Sequence, residues 1–71
     1  MDIEKRDRLY TTLMNCKKEL KEVEKKEIEI MEKYSTDKYF DLIKVEEEVD
    51  KKSQEYIKAR DEFLKFAKEL N

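Results

Sequence analysis

The chain has 71 residues, 51% of them charged and 38% hydrophobic, and it contains no glycine, no proline and no histidine. Its 19 acidic and 17 basic side chains nearly cancel to a formal charge of −2, so it offers no net field for phosphates and nucleic acid is not an expected partner. Without Gly or Pro there is no cheap positive-φ position and no pre-set turn, which makes long helix the default backbone; without His the commonest metal ligand is missing, and no metal or cofactor is expected.

The opening segment, Met1-Asp2-Ile3-Glu4-Lys5-Arg6, holds no apolar signal core. No run approaches the roughly 20 apolar residues of a membrane span. The single cysteine, Cys16, cannot form an internal disulfide. Together these features predict no membrane association and a reducing, cytoplasmic setting.

From Leu9 the apolar residues advance in alternating steps of four and three: Leu9, Leu13, Cys16, Leu20, Val23, Glu27, Ile30, Tyr34. Only Glu27 interrupts this coiled-coil seam. Tyr10, Met14, Ile28 and Met31 widen it towards its ends. The spacing predicts a helix over about residues 3–33.

The next segment, Tyr34-Ser35-Thr36-Asp37-Lys38-Tyr39, clusters residues that favour helix starts, because their side-chain oxygens accept from orphan amides. A turn is expected near 34–36, with Ser35 as N-cap, Asp37 in the first turn, and Tyr34 and Tyr39 at the two positions of a hydrophobic staple. A second helix is then expected over about 37–70. Its seam reads Leu42, Val45, Val49, Lys52, Tyr56, Ala59, Phe63, Phe66, Leu70, broken only by Lys52. Tyr39, Ile43, Ile57, Leu64 and Ala67 extend it to one side.

The two seams are out of register by one residue. A turn between two helices explains the slip; one continuous helix with local unwinding is the alternative. The predicted fold is therefore all-α, a single antiparallel helical hairpin. Because its second apolar arc is wider than a two-stranded seam needs, the hairpin is expected to dimerise into a four-helix bundle. Ile43, Val49, Tyr56, Ile57, Phe63 and Leu64 are the candidate self-association residues. Glu22–Lys26, Glu29–Lys33, Glu47–Lys51, Glu48–Lys52 and Asp61–Lys65 are acid-then-base pairs four apart, each contributing only about 0.2–0.5 kcal/mol to helicity.

Cys16, between Leu13 and Leu20, reads as a small core residue rather than a nucleophile, since it lacks a basic neighbour on its own face. Glu27 and Lys52 lie on opposite sides of the turn, so a hairpin could bring them face to face or let each reach solvent along its methylenes. Glu46-Glu47-Glu48 with Asp50 is the densest charge run, but on a helix these carboxylates fan out instead of converging. Seven aromatics are many for so polar a chain. Phe40 lies off both seams beside the turn, either as an exposed anchor or as a cap on the bundle core. Tyr34, Tyr39 and Phe40 are the candidate partner-binding residues.

One further segment, Glu48-Val49-Asp50 with Tyr56 six residues after Asp50, resembles the second helix of the short helical-hairpin phosphatases that dephosphorylate the sporulation response regulator in bacilli. That family carries Ser-Gln-Glu-Leu-Asp there; this chain has Glu46 and Glu47 at the first two positions. The resemblance implies an action on an aspartyl phosphate, with Glu48 and Asp50 as working residues.

With no catalytic constellation, the expected function is a non-enzymatic protein-interaction module: a small regulator or inhibitor that binds a protein partner. By analogy, small chains of this kind include phage or mobile-element proteins that block a host protein. The alternatives are the phosphatase reading and a structural coiled-coil adaptor.

Overall fold

A computed structural model describes residues 2–69. The seam position at Leu70, and the end of the second helix expected there, lie outside the described residues. Helix α1 runs Ile3–Glu32, a short 3-10 turn occupies Thr36–Lys38, and helix α2 runs Tyr39–Glu69. No strand occurs among the described residues.

Helix α1 begins where Asp2 takes an extended backbone and its Oδ1 accepts from the Lys5 N–H at 2.9 Å. Glu4 adds an anion to the first turn, where the helix dipole favours one. The helix stops without glycine. Lys33 turns at φ −107°, ψ 20°, and its N–H donates back to the Glu29 carbonyl at 3.3 Å. No described residue has a positive φ.

Ser35 is extended (φ −145°, ψ 167°) and stands at the N-cap position, but its hydroxyl makes no capping bond. The amide it would cap at Lys38 instead donates to the Ser35 carbonyl at 2.9 Å, closing the 3-10 turn. The staple is likewise not the ring contact formed here: Tyr39 packs edge-on against Phe40, with centroids 5.9 Å apart.

The molecule measures 54 × 13 × 13 Å. A continuous helix of this length would reach roughly 105 Å at 1.5 Å per residue, so the slip between seams is a turn. Contacts across the hairpin step in opposite directions along the two helices: Lys5 with Phe66, Tyr10 with Phe63, Lys17 with Tyr56, Glu19 with Lys52, Glu27 with Glu46.

On α1 the residues shielded from solvent are Leu9, Leu13, Cys16, Leu20, Val23, Glu27 and Ile30. This is the predicted seam up to the point where the helix ends; Tyr34, beyond it, is exposed. On α2 every described seam position is at least half-buried. Among the described residues, Val23, Val45, Ala59 and Phe66 are the buried ones, and none of them is wholly sealed from water. A single core in so short a chain rarely supplies more than about 3–5 kcal/mol. Of the five acid–base pairs four apart, none closes. The ion pairs formed among the described residues are Arg6–Asp7, Lys52–Glu19, Lys52–Glu55 and Arg60–Asp61. Exposed pairs gain too little to hold two long side chains in one geometry.

Candidate functional site

The antiparallel seam gives the hairpin two unlike flanks. In such a pair, residues just before Leu20, Glu27, Val49, Tyr56 and Phe63 lie on one side. Residues just after Leu9, Cys16, Val45 and Ala59 lie on the other.

The first flank is charged along its length. Every seventh residue of α2 on this side is acidic: Asp41, Glu48, Glu55, Glu62, Glu69. Lys52 bridges it at mid-height, its Nζ 3.2 Å from Glu19 and 3.4 Å from Glu55. The Glu19 hydrogen bond is the main reason that the Lys52 ammonium titrates above the usual lysine value. Grooves on this side are lined by Lys5, Glu62, Lys65 and Glu69 at the free end, and by Lys26, Asp41, Lys44 and Glu48 near the turn. Cys16, half-buried, borders a third with Thr12 and Glu55.

The second flank is apolar at both ends and charged in the middle. Tyr10, Met14, Ile57 and Leu64 are exposed towards the free end; Ile28, Met31, Tyr39 and Ile43 are exposed towards the turn. Tyr10 meets Phe63 with ring centroids 6.0 Å apart, and the Lys17 ammonium sits 5.3 Å from the centre of the Tyr56 ring. Between the ends, Glu27 faces Glu46. A hydrogen bond between the two carboxyl groups, helped by partial burial and by the charges of Glu46, Glu24 and Asp50, holds Glu27 above the usual carboxylate range. Glu46 Oε1 is shielded from water and has no hydrogen-bond partner.

Glu27 and Lys52 therefore do not meet. They serve opposite flanks at different heights, because the one-residue slip sets Lys52 beside Glu19 and Glu27 beside Glu46. Among the candidate self-association residues, Val49, Tyr56 and Phe63 are half-buried on the seam against α1, while Ile43, Ile57 and Leu64 stay exposed on the second flank. Sequence reasoning missed that the α1 residues Tyr10, Met14 and Ile28 share this flank. The signal was present: in antiparallel helices, positions following matching seam residues fall on the same side.

At the turn, Tyr34, Tyr39 and Phe40 are all exposed, and Phe40 is the most exposed large apolar side chain among the described residues, at 80%. Two residues before the seam residue Leu42, it points away from α1 and does not cover the hairpin core.

Glu48 and Asp50, the positions carrying the phosphatase resemblance, stand apart. Glu48 lines the groove near the turn on the charged flank, while Asp50 acts on Glu27 from the other side. No three acidic or cysteine side chains among the described residues gather where they could hold a metal ion. No described helix is long and apolar enough to cross a membrane. Set against known proteins, the chain matches no protein family, no curated protein and no solved structure.

Proposed function

We propose that this hairpin is a non-enzymatic protein-binding module of the cytoplasm, a small regulator or inhibitor. It contacts its protein partner through the turn end and associates with itself through the apolar flank. The observation that carries this reading is Phe40. A phenylalanine 80% exposed, braced edge-on by Tyr39 at 5.9 Å, is costly to leave in water and has no role in the hairpin core. Aromatic side chains give large contact area at low entropy cost and dominate interface energetics. The neighbouring Tyr34 and Tyr39 extend the same end.

The test compares wild type with Phe40→Ala as bait in extract from cells that encode the chain. A protein retained by wild type should be lost with the variant, by about 1–3 kcal/mol in affinity once the pair is purified. Helicity and melting temperature should not change. Equal retention by both baits, or a lowered melting temperature with unaltered affinity, would move Phe40 from binding to packing.

A further inference from the structure

The apolar flank carries a pattern that is complementary to itself. The contacts Tyr10–Phe63, Lys17–Tyr56 and Glu27–Glu46 fix which residues of α1 and α2 share a height along the hairpin. Tyr10 stands level with Leu64, and Met14 with Ile57. Nearer the turn, Ile28 stands level with Ile43. All six are exposed. At mid-height α1 carries Lys17 and Lys21 and, nearer the turn, Glu24, while α2 carries Glu46 and Asp50.

We propose that a second copy of the chain covers this flank, related by a two-fold axis parallel to the hairpin's long axis, so that α1 of each copy lies on α2 of the other with both turns at the same end. That operation keeps heights and exchanges helices. Tyr10 then meets Leu64 of the second copy, Met14 meets Ile57, Ile28 meets Ile43, and Lys21 meets Asp50. A two-fold axis across the long axis reverses heights and lays each helix on its own mate. With the hairpins fully overlapped, it sets Met14 against the charged middle of the flank; slid to bring the apolar ends together, it sets Asp50 against Asp50 and leaves part of each hairpin uncovered. Opposed like charges disfavour a wrong register. The longitudinal arrangement has its own like-charge mismatch, Glu24 of one copy between Glu46 and Asp50 of the other. It also brings two Phe40 side chains to one end of the bundle, so a partner would meet the turn-end aromatics in pairs.

This arrangement rests on the reading that the hairpin self-associates, and sedimentation equilibrium tests that reading first. Wild type should be a dimer at about 100 µM, the range in which micromolar constants are read; a monomer there overturns both the reading and the arrangement. Lys21→Glu and Asp50→Lys should each weaken the dimer about tenfold or more, and an equimolar mixture of the two variants should restore it. Glu24→Lys should tighten it, a gain that misfolding cannot imitate. Disulfides then report the arrangement by itself. With Cys16→Ser as background, Met14→Cys chains mixed with Ile57→Cys chains should form mixed disulfide dimers, and Asp50→Cys chains should not link to themselves. A stable dimer in which Asp50→Cys links to itself, and Met14→Cys does not link to Ile57→Cys, overturns the longitudinal axis and leaves self-association standing.

Discussion

The two flanks of the hairpin meet water in different ways, and each contains one of the two polar residues that interrupt the seams. On the charged flank, Lys52 is satisfied within the chain by Glu19 and Glu55. On the apolar flank, Glu27 has only another carboxyl to face, and Glu46 Oε1 is shielded without a hydrogen-bond partner. The same kind of interruption is closed in one place and left open in the other. Polar seam residues are therefore informative about association through what they face, not through their polarity alone.

The largest expected effect falls on what both flanks share. Phe66→Ala removes the one buried aromatic ring among the described residues and should cost about 3–5 kcal/mol. That is comparable to the whole stability expected of so short a chain, so far-ultraviolet circular dichroism of the dilute variant should show a largely unfolded chain. Glu27→Leu should act in the opposite sense. It replaces a carboxyl facing a carboxyl with a residue that completes the seam, and thermal melts should show a gain of about 1–2 kcal/mol. On the charged flank, Lys52→Ala should lower the melting temperature only slightly, because its partners Glu19 and Glu55 reach water and can be rehydrated.

The smallest effect is the dependence on pH. Glu27 binds its proton more tightly in the folded chain than in the unfolded one, so folding takes up protons and stability falls as pH rises. The contribution is fully present below the ordinary glutamate value and is lost as pH passes the raised one. Lys52 has the same sign in an alkaline window, its contribution being lost above the ordinary lysine value. Glu27→Gln should flatten the acidic slope of urea midpoints against pH and leave the alkaline one as it was; an unchanged acidic slope would separate that slope from Glu27.

Much of this was legible in the residues. The α1 seam from Leu9 to Ile30 and the α2 seam from Leu42 to Phe66 follow from spacing, because burial on a helix repeats with its period. The slip between them marked the turn. What spacing alone did not give was the cap chemistry: Ser35 looked like a side-chain cap, yet a 3-10 turn satisfied the same amide with a backbone carbonyl. Nor did it give the partners of Glu27 and Lys52, which depend on how many residues the turn consumes. The exposed aromatic cluster was visible as Phe40 lying off both seams, whereas the apolar flank needed the two helices side by side.

The most direct test of the account is a paired sedimentation-equilibrium measurement on Ile57→Lys and Glu62→Lys. Both positions are exposed on α2, five residues apart, on opposite flanks. Ile57→Lys should be monomeric with its helicity intact, and Glu62→Lys should keep the wild-type dimer constant within about twofold. If Ile57→Lys associates as wild type does, or if Glu62→Lys is the variant that dissociates, the apolar flank is not where a second copy binds.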